Sequence, residues 1–365
     1  MMEGKPVNLG DMEVNLLWFD SLGAKSSSFL VETPDIRLLV DPGVAVMQPS
    51  YPLSEGEKVE LADEAFQRIE EAAGRADAVF ISHYHYDHHT LPSGAEGIYR
   101  GKRLWIKDPN QWINGSQWER SKLFLEELYA IFRGGDPEDI LIPPQRAEYY
   151  PPLDELPIVK GKRWGDYQQR KEELLQKGRR WFKNQSKKWK ENFWVKEFKA
   201  GGVEVRFADG QSFTQGRTRI RFTRPLFHGI EYARLGWVIA LVVEYGGHKL
   251  LYTSDLQGPQ VEDYASWIIE EDPELLIVDG PTTYLLGYLL NQINLGRAVD
   301  NMCRIIRESS AKLILYDHHN LREAKYRDRL KGVYRTAERE GKNLFTAAEW
   351  FGQKPLILRI SQGKN

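Results

Sequence analysis

The sequence predicts an α/β protein in which two β-sheets lie face to face with helices on both outer sides, an αββα sandwich. Three observations carry this. Apolar runs at 78–81, 275–278 and 313–316 have the length and branched content of buried strands. Helical apolar spacing precedes the first run and separates the other two. Alternating strands at 203–207, 218–223, 237–244 and 250–252 read as the second half of a β-rich layer, and strands with helices outside pack as stacked layers.

In chain order, 14–19, 28–32 and 36–40 read as a β-meander, with a tight turn at Thr33, Pro34 and Asp35. Asp41, Pro42 and Gly43 end its third strand. Leu61, Ala65, Phe66 and Ile69 then repeat at helical spacing, and Gly74 is expected to stop that helix in a left-handed conformation. The strand at 103–107 comes next. Ser116 and Glu119 read as a capping box for a helix carrying Leu123, Leu128 and Ile131, which 134–137 (GGDP) breaks. A further helix is expected at 295–306.

The 365 residues are expected to form one domain, and 41% hydrophobic residues are ample for its core. A net charge of −2 gives no general argument for a nucleic-acid or membrane partner. The single cysteine, Cys303, shares a helical stripe with Leu295, Val299, Met302 and Ile306, which assigns it to the core. The opening residues lack the apolar segment of a signal peptide, and the longest apolar run, 237–243, is far short of a membrane span. A cytoplasmic location is expected.

The stretch 78–90, AVFISHYHYDHHT, carries the chemistry. His83 and His85 stand two apart behind a strand, so an extended chain sends both imidazoles to one side. Asp87 and His88 follow a bend and would meet at a second focus. Burying so many polar groups without a partner would cost several kcal/mol, on the order expected for unpaired buried polar atoms. Two metal ions suit the layout better than one.

HxHxDH behind a hydrophobic strand resembles the signature of the metallo-β-lactamase superfamily. DSLGAKSSSFLVET from Asp20, LLVDPGV from Leu38, FHGIEYARLGWVI from Phe227, YTSDLQGP from Tyr252 and DHHNLR from Asp317 carry a closer resemblance, to a prokaryotic family of predicted metal-dependent hydrolases within it. The match spans almost the whole chain. It implies a four-layer αββα metallo-β-lactamase sandwich and metal chemistry. It also implies that Asp41 hydrogen-bonds a ligand histidine from behind, a role the residue's position at a strand end suits.

Few histidines remain to complete a dinuclear site. His228 sits in an irregular link between strands and is chosen as a ligand, whereas His248 reads as a hairpin-turn residue. Asp255 ends the strand LLYTSD. In superfamily members with this pattern the equivalent aspartate bridges two cations, which marks phosphodiesterase-like, thioester or lactone hydrolases, whereas β-lactamases proper place a cysteine there. Asp317, His318 and His319 all follow the strand KLILY; the pattern with Arg322 downstream points to His318 as the last ligand and leaves His319 open. The other histidine, or His89, is a candidate for protonating a leaving group.

The expected metal ligands are therefore His83, His85, Asp87, His88, His228, Asp255 and His318, with Asp87, His319 and His89 as candidate catalytic groups. Mixed nitrogen and oxygen donors suit two Zn²⁺ ions, and Mn²⁺ or Fe also fits. The cationic core favours an anionic substrate, a small molecule or a nucleic acid. The expected reaction is hydrolysis by a metal-bridging hydroxide, on a phosphodiester or other phosphorylated substrate. A lactone or ester hydrolase, or a nucleic-acid-binding protein with structural metals, is the alternative. Ser26 to Ser28 and 281–284 are candidate pocket loops.

Residues 143–200 read as an insertion. Between Lys160 and Lys199 there are 14 Lys and Arg against 5 Asp and Glu, interleaved with eight aromatic residues. Two readings stand: a basic arm that holds nucleic acid, or an amphipathic helix whose aromatics pack on the domain or a second subunit. The stripe Tyr167, Leu174, Trp181 and Trp189 favours packing.

Overall fold

The computed structural model describes residues 5–362. Eight strands make one sheet among the described residues. Met12–Phe19, Ser27–Glu32 and Arg37–Val40 form the meander, with Val7–Leu9 at its outer edge. Arg37–Val40, Ala78–Ile81, Arg103–Ile106 and Val203–Phe207 then run parallel, and antiparallel Phe198–Ala200 closes the far edge. The second sheet is ordered Ser212–Gln215, Thr218–Phe222, Leu241–Tyr245, His248–Tyr252, Leu275–Asp279, Leu313–Asp317 and Asn343–Phe345. Its last four strands are parallel.

Side-chain alternation makes the four layers. Ala78 and Phe80 enter the core between the sheets, where Phe80 meets Phe222 at 4.7 Å and shares its cluster with Leu241, Val243 and Ile277. Val79 and Ile81 face the other way and cluster with Ile69 of the helix Glu55–Ala73 and Phe124 of Gly115–Arg133. On the second sheet, Leu276, Val278 and Ile314 meet Ile268, Ile305 and Val333 from Glu262–Glu271, Gln292–Glu308 and Lys331–Arg339. Strands covered on both faces explain why AVFI and LLIV are unbroken apolar runs. Cys303 is buried in Gln292–Glu308.

Three local expectations are corrected. Gly74 follows its helix with φ −55°, in the right-handed region, so no left-handed stop is used there. Asn114, not Ser116, caps Gly115–Arg133 by accepting from Gln117 N; capping boxes occur at Ser54/Glu57 and Thr346/Glu349 instead. The run 237–244 is two strands, because Trp237–Val238 leaves the large sheet to pair with Leu226–Phe227. Ile239 N then bonds Ser82 O at 3.1 Å, tying this crossing to the motif loop.

Within 143–200 the dominant element is the helix Gln168–Glu191. Its buried face is Lys171, Gly178, Phe182, Gln185 and Trp189, so the expected stripe is wrong in part: Leu174 is 37% exposed. The aromatics still point inward, with Trp181 stacked on Trp237 at 5.4 Å and Phe182 and Trp189 against Trp112. Gly178 permits the contact, since a Cβ there would lie 2.5 Å from Tyr232 Cβ. A buried ion cluster completes it: Lys171 meets Glu231 at 2.6 Å, and Arg297 pairs with both Glu231 and Glu262 beneath the Trp164 ring.

Candidate metal centre

The site lies where the carboxyl ends of both sheets meet, the edge at which loops of an open α/β sheet bind ligands. His83 follows Ala78–Ile81, Asp255 follows His248–Tyr252, His318 follows Leu313–Asp317, and His228 follows the short strand Leu226–Phe227. Asp41, Ser254 and His318 adopt φ of 44°, 53° and 78°. Such backbone costs of order 1–3 kcal/mol per residue and persists where the surroundings hold a functional geometry.

Ligand atoms of His83, His85, His228 and Asp255 form one group within 4.8 Å of one another, and those of Asp87, His88 and His318 form a second. Asp255 stands between them. Its Oδ2 is 3.5 Å from His83 Nε2 and 3.3 Å from His228 Nε2, whereas Oδ1 is 3.1 Å from His88 Nε2 and 3.5 Å from His318 Nε2. His83 Nε2 and His85 Nδ1 are 3.1 Å apart. His319 Nε2 lies 3.5 Å from Asp255 Oδ2, and Asp255, His318 and His319 make a third group.

Carboxylates orient the rings from behind. Asp41 Oδ2 lies 2.8 Å from His88 Nδ1 and accepts from Ser82 Oγ and Tyr252 OH. Asp20 lies 2.9 Å from His318 Nδ1 and accepts from Arg322 Nε, and Arg322 Nη2 also reaches Asp87 at 3.1 Å. Asp279 Oδ2 stands 3.1 Å from His319 Nδ1. Such partners fix ring orientation and tautomer.

Burial and charge sort the protonation states of the metal-free chain. Burial holds His83 well below its usual range and His85 at about 3, so both rings keep a free lone pair. At His88 burial opposes the cation, but Asp255 and Asp41 outweigh it and push the ring to about 10. Burial and the Asp255 charge push Asp279 well up, while burial and His318 hold His319 well down, so this pair stores its proton on the carboxyl side.

Residues 23–89 match the family model of the metallo-beta-lactamase superfamily. A UPF0282 protein of Methanopyrus kandleri is 34% identical over 358 residues, covering 95% of this chain and 96% of its own. The chain belongs to the UPF0282 family. A UPF0282 protein of Methanocaldococcus jannaschii is 30% identical, covering 97% of this chain and 98% of its own. Among solved structures, the metallo-beta-lactamase fold protein YhfI of Bacillus subtilis aligns with 92% of this chain and 95% of its own at 16% identity and a TM-score of 0.44. The two facing sheets with helices outside are the expected αββα sandwich, and the superfamily match covers the segment that carries Asp41, His83, His85, Asp87 and His88.

The residues of this UPF0282 chain fit a divalent metal. Both His228 ring nitrogens and Asp255 Oδ2 are buried without a hydrogen-bond partner, and Asp255 Oδ1 has only His88 Nε2 beside it at 3.1 Å, out of hydrogen-bond alignment. Each such atom costs about 1–3 kcal/mol if left bare, and all belong to the two facing groups. The mixed nitrogen and oxygen donors have the borderline hardness that divalent cations such as Zn²⁺ accept.

All seven expected ligands of the UPF0282 centre thus fall in the two groups, and Asp41 lies behind His88. His89 does not join them. Its ring packs against Tyr84, Tyr86 and Phe124, and Nδ1 lies on His85 O at 2.9 Å. Among the candidate pocket residues, the Ser26 and Ser28 hydroxyls are turned to the Gly43 and Val40 carbonyls. His248 pairs with Glu274 at the hairpin. Sequence reading passed over Asp20 and Asp279, although each stands at the end of a buried strand, the position that singled out Asp41.

Gly43 carries a prediction for the UPF0282 centre. A Cβ there would lie 2.3 Å from His88 N and 2.2 Å from His89 N, inside the turn that presents Asp87 and His88. Gly43→Ala should displace that turn and weaken metal affinity by roughly 10- to 100-fold, the range for losing an outer support. Competition with a chelator reads this directly, and an unchanged affinity would show that the turn yields freely.

Proposed function

We propose that this protein is a hydrolase of phosphodiesters that works with two divalent metal ions, the whole chain forming one catalytic domain with 143–200 inserted. The two-sided placement of Asp255 carries this reading: each of its oxygens faces a different set of imidazoles. A closed structural site needs only four ligands and no shared carboxylate. Bound divalent ions would act as Lewis acids and lower the pKa of a coordinated water toward about 7.

The chain's own groups supply the rest. His83, His85 and His228 would hold one ion, and Asp87, His88 and His318 the other, with Asp255 shared. His319 is placed to hold and deliver a proton at Nε2, because Asp279 fixes its Nδ1 edge and Nε2 points toward Asp255. Arg322, buried and held in its cationic form by Asp20, keeps positive charge beside Asp87. The preference for an anionic ester over a neutral one would come from the divalent ions, since Arg322 is offset by its two carboxylates.

The test is turnover by purified protein with Zn²⁺ or Mn²⁺. Bis(p-nitrophenyl) phosphate should be hydrolysed, and this activity should vanish on chelation and return with metal. Hydrolysis of lactones or carboxylic esters alone would sink the phosphodiester assignment while keeping the centre hydrolytic.

A further inference from the structure

The Gln168–Glu191 helix separates its side chains sharply. Between residues 174 and 190 there are seven Lys and Arg and no Asp or Glu, in a chain whose net charge is −2. The aromatic residues of this span face the protein, where Phe182 and Trp189 are buried. All seven cations are exposed. Among the described residues, one of them has a carboxylate within 4 Å: Lys187, with Glu191 at 3.7 Å.

An ordinary solvated helix face interleaves acids and bases at i,i+4. This one does the reverse. Lys177 and Arg180, Arg179 and Lys183, Lys183 and Lys187, and Lys187 and Lys190 are like-charged neighbours at i,i+3 or i,i+4, each pair destabilising by roughly 0.2–0.5 kcal/mol. The inward anchors hold the helix despite that repulsion, and a polyanion laid along it would relieve it. Lys177 to Lys190 span about 20 Å at 1.5 Å per residue, close to six steps of a duplex strand.

We infer that the outer face of this helix is a docking surface for the phosphate backbone of duplex nucleic acid. The buried rings leave Trp181, Phe182 and Trp189 unavailable for stacking on unpaired bases, which argues for a duplex over a single strand. Gly178 and Lys171 seat the same helix on Tyr232 and Glu231, in the loop that carries His228, so a docked backbone lies on an element fastened to the metal centre. Recognition is by charge, without base readout.

Fluorescence anisotropy with the full-length protein and a 20-base-pair duplex DNA tests this at salt between about 50 and 200 mM. Wild type should bind with a steep salt dependence. The triple variant Lys183→Gln, Lys187→Gln, Lys190→Gln should bind at least 10-fold more weakly, its log–log salt slope smaller by about 2 to 3. Its bis(p-nitrophenyl) phosphate turnover should stay at the wild-type level, which separates this surface from the hydrolase reading. No duplex binding by wild type, tighter binding to the matching single strand, or an unchanged slope in the variant would overturn the inference. So would binding confined to phosphatidylserine vesicles.

Discussion

Asp255→Asn should remove most turnover, by more than the roughly 10- to 100-fold typical when only an outer partner of a metal ligand is lost. The side chain keeps its size, so the sandwich should fold normally. What changes is charge: the imidazoles His83, His88, His228 and His318 would face a neutral amide that can donate as well as accept. Metal content should fall together with activity, because one carboxylate serves both ligand groups. A variant retaining both metal and turnover would show that Asp255 does not join the groups. A variant retaining metal but losing turnover would move Asp255 from binding to chemistry.

Glu231→Gln should cost about 3 to 5 kcal/mol of stability, the range for breaking a buried ion cluster by removing one partner. Glu231 is buried between Lys171 and Arg297, and removing its charge strips Lys171 of its carboxylate and leaves Glu262 alone against both cations under Trp164. Burial opposes its charge, yet Arg297 and Lys171 hold the carboxyl at about 2, against 4.5 for the ordinary group. Burial still pulls the Lys171 ammonium down, so Arg297 is the firmer of its two partners. A depressed carboxyl stabilises the fold fully above pH 4.5 and loses that contribution as pH falls toward 2, a loss of about 3 kcal/mol. Urea unfolding should show the gap between wild type and variant narrowing across that window. A gap independent of pH would place the cost in packing rather than charge.

Much of the centre was readable because its ligands are crowded in sequence. An unbroken strand, AVFI, followed by four imidazoles and a carboxylate within seven residues leaves little room for another reading. Asp20 and Asp279 were harder, since a lone carboxylate after a strand looks like a turn residue until the chain is folded and His318 and His319 stand beside them. The helix Gln168–Glu191 misled for a different reason. Its buried face includes Lys171 and Gln185, polar groups whose partners come from other parts of the chain, so apolar spacing favoured Leu174 instead. Helix caps slipped by two residues at Asn114 because Asn and Ser both cap, and only the folded backbone chooses between them.

Anomalous diffraction from crystals soaked in Mn²⁺ or Zn²⁺ tests the central claim most directly. Two peaks are predicted, one beside His83, His85 and His228 and the other beside Asp87, His88 and His318, with the Asp255 carboxylate touching both. A single peak that leaves one of these groups empty, or peaks remote from Asp255, would contradict it.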